Sequence, residues 1–320
     1  MGCVLNTYAA YFRDTDIRLQ SSSGAMFSAI SEYILSLHGV IYGVAMSEDC
    51  YQAEYVRVTE RNELGRIRGS KYVQAKIGDT FQKVKSDLEN GKAVLFTGTG
   101  CQVNGLKCFL GKEYNTLYCL DVICHGTPSP KLWREYVKYR ESQCHAKILS
   151  VNFRSKDRNG WDGFEMKEVD GNGTETYISR HEDLYFQLFV KNICLRPSCY
   201  KCEAKNIKRS DLTVGDFWGI EDVRPELNDD RGISLVITRT ERGQQLFNKI
   251  KDKLIFQKVS YEEGVRNNKA EYEPYRKPAK RERFFRDMRK MPFEKLGRKY
   301  TAVSVRTKIK RIVKRLLRLD

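Results

Sequence analysis

Residues 93–123 carry the pattern of a βαβ unit. An apolar stretch from Ala93 to Phe96 runs into the turn Gly98-Thr99-Gly100-Cys101, a helical segment covers Gln102 to Leu110, and a second apolar stretch runs from Leu117 to Ile123. Two short apolar strands around one helix are the ingredients of that unit, and its strands are parallel. Cys101 directly follows the first strand and Cys124 the second. As parallel neighbours, these strands deliver both thiols to the carboxyl edge of one sheet, where open α/β sheets hold their ligands.

The flanking sequence extends the alternation. Phe27, Ile30, Ile34 and Leu37 recur at helical spacing behind Ser21, Ser22, Ser23 and Gly24, which reads as a serine-capped helix closed by Gly39. Val40 to Met46 reads as a buried strand, Asp79 to Asn90 as a helix, Leu212 to Asp216 and Ile233 to Thr238 as strands, and Glu241 to Leu254 as a helix. Beyond Pro128 and Pro130, a helix with Trp133, Tyr136 and Val137 leads into further strands. The expected fold is α/β: a mixed α/β body with a parallel βαβ core, a second α+β region carrying the cysteine cluster C-x4-C-x2-C, and a basic helical C-terminal tail. The expected segments are 1–92 and 93–265 for the two parts of the body and 266–320 for the tail. A chain of 320 residues, 41% hydrophobic, can bury one large core or two smaller ones.

Charge is distributed unevenly. Residues 276–320 hold 18 Lys and Arg against 4 Asp and Glu, a net of +14 out of +16, which leaves the rest of the chain nearly neutral. The high isoelectric point therefore describes the tail, and nucleic acid is not expected as a partner. In the tail Val305, Ile309, Ile312, Val313, Leu316 and Leu317 line one side of a helix. It is read as packing on the body or on a second subunit, making a homo-oligomer, with an anionic membrane surface or an acidic partner as the alternative. No apolar run approaches the ~20 residues that span a bilayer, and a cytoplasmic location is expected. The opening Met-Gly-Cys does not read as an acylation signal, because Asn6 stands where Ser or Thr is needed.

Ten cysteines in such a chain point to metal or redox work before disulfides. Cys194, Cys199 and Cys202 form C-x4-C-x2-C, and no cysteine follows Cys202, so a fourth ligand must lie upstream. Cys108 falls inside a helix and Cys119 inside a strand, whereas Cys101 and Cys124 are read as loop residues. Four of these five loop thiols would bind a [4Fe–4S] cluster, with Cys194 as the spare, because Arg196 and Pro197 separate it from the tighter pair. A zinc site, giving a non-enzymatic binding or accessory protein docked through its basic tail, is the alternative. For Cys3, Cys50, Cys108, Cys119 and Cys144, ordinary burial or exposure suffices.

Three turns could offer amide hydrogens to a pyrophosphate: Ser21 to Gly24, Arg68-Gly69-Ser70-Lys71, and Gly98-Thr99-Gly100, with Arg68 and Lys71 as cations. His125 is a candidate proton donor or hydrogen-bond donor to a cluster sulfur. Asp216 is a candidate to orient a flavin ring, or else caps the next turn.

The segments SSSGAMFSAISEYIL, RGSKYVQAKIGDTFQKVKSDLENGKAVLFTGTGCQ, DVICHGTPSP and CLRPSCYKCEAKNIKRSDLTVGDFWGI, in that order, resemble the coenzyme F420 hydrogenase/dehydrogenase beta-subunit family from about Tyr8 to Gly264. The resemblance implies noncovalent FAD, one nearby [4Fe–4S] cluster, and electron passage between iron–sulfur donors and a flavin, a deazaflavin co-substrate or another small-molecule acceptor. It carries the cluster onto Cys101, Cys124, Cys199 and Cys202, with Cys194 as an added member in bacterial-type relatives. It carries FAD onto Ser22, Ser23, Gly24, Arg68, Gly69, Ser70 and Lys71. Many relatives begin with a ferredoxin-like module that is not seen here, so either a separate ferredoxin or another iron–sulfur protein is the expected donor, or the chain is a truncated relative. Gly100 and Ala25 depart from the family's usual Pro and Gly.

Overall fold

The computed structural model describes residues 3–302; the apolar stripe read over Val305 to Leu317 and the opening Met-Gly lie outside them. Twelve strands are assigned: β1 (Asn6–Phe12), β2 (Val40–Met46), β3 (Ala53–Val58), β4 (Ala75–Lys76), β5 (Val94–Thr99), β6 (Leu117–Val122), β7 (Ile148–Ser155), β8 (Glu165–Asp170), β9 (Glu175–Ser179), β10 (Leu212–Asp216), β11 (Ser234–Thr238) and β12 (Leu254–Val259). Nine of them form one sheet in the order β12-β1-β11-β10-β6-β5-β2-β3-β4, and β7-β8-β9 form a second. At the centre β2, β5, β6 and β10 run parallel, while β1, β11 and β12 add an antiparallel flank.

Parallel strands are stable when both faces are covered, and the side-chain alternation of β5 meets that condition. Leu95 packs with Ile30, Ile34, Leu246 and Phe247 on one face. Val94 and Phe96 pack with Val84, Leu88, Val103 and Leu106 on the other. Helices Met26–Ser36 and Glu241–Ile250 thus cover one side, and Thr80–Glu89 and Gly100–Leu110 the other.

The sheet takes strands from both sides of residue 92, so the boundary expected there falls inside one layer. The second region joins helix Pro130–Cys144 to the small sheet. Its core also contains Phe284, Phe293 and Leu296, from the part of the expected tail that lies within the described residues. No helix among the described residues is long and apolar enough to cross a membrane.

Three local expectations need correction. The serines do not cap the first long helix, which starts at Met26 behind Ala25 at φ 63° with no side-chain cap. Their hydroxyls are engaged elsewhere, Ser21 Oγ donating to Ile17 O and Ser23 Oγ to Ile233 O. The helix after β5 begins at Gly100 rather than Gln102, so Cys101 sits in its first turn and not in a loop. A capping box between Thr99 and Gln102 sets that start. The helix from Glu241 ends at Ile250, and Leu254 opens β12 instead of closing a helix.

Candidate cluster and cofactor site

Three backbone arrangements bring Cys101, Cys124, Cys199 and Cys202 to one end of the large sheet. First, β5 and β6 pair in parallel with Thr99 opposite Val122, so Cys101 and Cys124 each follow by two residues from level positions. Neighbouring strands lie about 4.8 Å apart. Second, the Cys124 loop pairs with the segment before Cys199: Pro128 bridges Leu195, and Arg196 N donates to Thr127 O at 3.0 Å. Third, Gly100 packs against Ala204. A Cβ on Gly100 would stand 2.9 Å from Asp121 Oδ2 and 3.4 Å from the Ala204 Cβ. A side chain at Gly100 would crowd the Asp121 carboxylate, while Ala204, in the turn after Cys202, stands at ordinary contact distance. Gly126, at φ 141° with Leu195 only 2.6 Å from where a Cβ would sit, makes the second arrangement possible.

The thiols respond to one another. Burial pushes the Cys124 thiol up to about 12, the Cys101 and Cys199 thiols push the same way, and the Lys205 ammonium pulls against them. Burial also raises Cys199, with Cys101 and Cys202 adding to it. The Gly126 amide hydrogen-bonds the Cys124 thiol and the Thr127 amide that of Cys199, both favouring thiolate. Lys205, itself buried, donates to Cys124 O at 2.5 Å and to Ala270 O. Cys194 is wholly buried in the second core, against which Cys199 also packs in part, and burial raises its thiol. Cys50 and Cys119 are buried, Cys3 and Cys108 exposed, and Cys144 intermediate.

Among the described residues no three His, Cys, Asp or Glu side chains are grouped to hold a single metal ion. A four-iron cube presents its irons at separate corners and accepts one thiolate at each, so its ligands stand farther apart than those of one ion. The donor set fits that group: four thiols, two amides turned toward sulfur, and a buried cation behind one of them.

A second group of residues lies on the same side. Ser70 N donates to Ser22 Oγ at 2.9 Å, which joins two of the three turns read from the sequence. Gly69 takes φ 81°. Arg68 donates to Ser28 Oγ and Gln20 Oε1, and burial lowers its pKa. Lys71 donates to the carbonyls of Arg66 and Arg68, and burial lowers it to about 7. Gly24 offers no free amide, since Gly24 N donates to Ser234 Oγ. The third turn stands apart: Thr99 N is committed to Gln102, and Gly98 packs under Tyr55.

Asp216, at the end of β10, accepts from Arg154 Nη1 at 2.5 Å and from Trp161 Nε1 at 3.0 Å. Arg154 is 3% exposed, and its Nε and Nη2 are buried with no hydrogen-bond partner. Burial raises the Tyr72 hydroxyl, and the Arg154 charge together with contacts to the Arg154 and Ser70 side chains pulls against it. Lys156 is buried, donates to the carbonyls of Arg18, Ser23 and Arg231, and is lowered to about 7 by burial. Sequence reasoning missed Arg154 and Lys156 as site residues. Their signal was two cations two apart at a strand end, which share a face. Orphaned guanidinium nitrogens and uncompensated buried lysines favour an anion, and a flavin pyrophosphate fits them.

Aromatic rings connect the two groups. Tyr72 stacks on Phe189 with centroids 4.9 Å apart, and Phe189 lies 4.6 Å from the ring of His125, next to Cys124. Tyr275 covers His125 at 4.1 Å. Burial pulls His125 down to about 4, so it is neutral at neutral pH.

Residues 7–80 match the N-terminal part of the beta subunit of coenzyme F420 hydrogenase/dehydrogenase, and residues 91–263 match the C-terminal part. The class is therefore that of an oxidoreductase subunit. The chain belongs to the coenzyme F420 hydrogenase/dehydrogenase beta-subunit family. Among solved structures, a chain of the F420-reducing [NiFe] hydrogenase complex from Methanosarcina barkeri is similar, with a TM-score of 0.57 and 16% identity over 85% of this chain and 88% of that one. At that identity the likeness concerns the fold. Among curated proteins none matches.

Proposed function

We propose that this subunit passes electrons between a ferredoxin-type protein and a flavin, deazaflavin or other small acceptor, through FAD and one [4Fe–4S] cluster on Cys101, Cys124, Cys199 and Cys202. The observation that carries the reading is the approach of the four cysteine-bearing segments to one another at one sheet edge, beside a cation group in which only Arg154 has a carboxylate partner. When bound, the two cofactors supply exchange between hydride and single-electron chemistry. The chain's part is to hold and tune them. Arg154, Lys156, Arg68 and Lys71 would neutralise the pyrophosphate, Asp216 would hold Arg154 in place, and the Gly126 and Thr127 amides with Lys205 would stabilise charge on the sulfurs. Neutral His125 would keep water from the space between the groups and offer one N–H to a sulfur or a reacting ring.

Single Cys→Ser variants test the reading. Cys101→Ser, Cys124→Ser, Cys199→Ser and Cys202→Ser are expected to lose most of their iron after anaerobic reconstitution, while Cys194→Ser keeps it. Equal iron in all five, or loss only in Cys194→Ser, would contradict the assignment.

A further inference from the structure

The segment from Arg196 to Arg209 holds five cations and one acid, Glu203. Lys205 and Lys208 are turned inward, Lys205 to backbone carbonyls and Lys208 to Glu271. Arg196, Lys201 and Arg209 are exposed. Arg196 acts electrostatically on Cys199, Lys201 lies between Cys199 and Cys202, and Arg209 donates to the exposed Cys108 at 3.3 Å, on the helix whose first turn holds Cys101. Beyond Tyr275, whose ring covers His125, Arg276 and Lys280 are also exposed. Within the 196–209 segment stands an exposed apolar side chain, Ile207 at 48%. Ile207 is tied to the Cys101 helix through Asn104, whose Nδ2 donates to Ile207 O at 2.8 Å. Cys101 itself is exposed. In a body that is nearly neutral overall, positive charge is thus concentrated where four thiols come closest to solvent.

We propose that this rim, Arg196, Lys201 and Arg209 around Cys101, Cys199 and Cys202, docks an acidic electron-transfer protein. The proposal rests on the function proposed above, and it adds where the partner sits and what sign of charge it carries. A small apolar contact ringed by charge suits a transient redox encounter, in which electrostatics governs the on-rate more than the affinity. An anionic membrane would match the charge but would not explain why it surrounds the exposed thiol end.

The test uses the full chain, reconstituted anaerobically, with a reduced acidic two-cluster bacterial ferredoxin as the probe and stopped-flow absorbance as the readout. The wild-type second-order rate should fall about tenfold or more from low to high salt. The variant Arg196→Glu/Lys201→Glu/Arg209→Glu should lose about tenfold at low salt and most of its salt dependence, while the iron and flavin contents stay unchanged. The neutral variant Arg196→Gln/Lys201→Gln/Arg209→Gln should fall between and guards against misfolding of the charge-reversed chain. Unchanged ferredoxin kinetics in both variants would overturn the proposal, as would loss of binding to phosphatidylserine vesicles with ferredoxin kinetics intact. A wild-type chain that takes up neither iron nor flavin removes the electron-transfer reading itself, and the docking proposal with it.

Discussion

Lys71 and Lys156 are unusual lysines: each is held among backbone carbonyls, and burial brings each down to about 7 from 10.5. Between those values the unfolded chain carries a proton that the folded chain lacks, so these groups let stability rise with pH across that window, and below it their full penalty is present. An anion bound beside them reverses the preference and takes up a proton. FAD affinity of the apoprotein should therefore weaken as pH rises through about 7. Lys71→Gln should bind at least about tenfold more weakly at pH 6 with a flatter pH profile, measured by flavin fluorescence; an unchanged profile would count against Lys71. Asp87 behaves oppositely. Burial pushes its carboxyl up, but hydrogen bonds from Arg57, Tyr42 and Lys92 outweigh that and hold it at about 2, so its contribution is present above pH 3.8 and lost as pH falls toward 2. Asp87→Asn should cost about 2 kcal/mol at pH 7 by denaturant unfolding without changing iron content. The Arg68 to Lys71 turn was legible because glycine and cations are adjacent in sequence. The half-satisfied guanidinium of Arg154 was not, because it depends on Asp216, distant in sequence, which pairs with Nη1 and leaves Nε and Nη2 without partners.

Elements were legible where one pattern dominated. The boundaries of β2 and β10, and the parallel pairing of β5 with β6, follow from short apolar runs between turns. The serine turn misled because hydroxyl residues before an apolar periodic run look alike whether they cap a helix or bond to distant carbonyls such as Ile233 O. Two elements invite direct tests. Gly126→Ala would place a methyl 2.6 Å from Leu195 at a backbone angle that side chains avoid. It should cost about 2 kcal/mol and reduce iron retention, by loosening the bridge between the Cys124 and Cys199 loops. Phe284 is wholly buried in the second core. Phe284→Ala should cost about 3–5 kcal/mol in denaturant unfolding, an outcome that a solvated basic arm starting at residue 266 would not give.

At the scale of the whole molecule, the nine-strand order interleaves distant segments. β1 pairs with β11 and β12, more than 200 residues away in sequence, and no local pattern specifies such pairing. The same topology brings cysteine-bearing segments from opposite ends of a hundred-residue stretch to one edge, so the proposed ligand set rests on cysteine spacing and family resemblance, while the approach of its segments follows from the sheet. The most direct measurement is anaerobic reconstitution with iron, sulfide, zinc and flavin quantified per chain, followed by the visible spectrum before and after reduction. About four iron, about four sulfide and about one FAD are predicted, with a broad charge-transfer absorbance that bleaches on reduction. A colourless chain holding zinc, or holding neither iron nor flavin, would contradict the account.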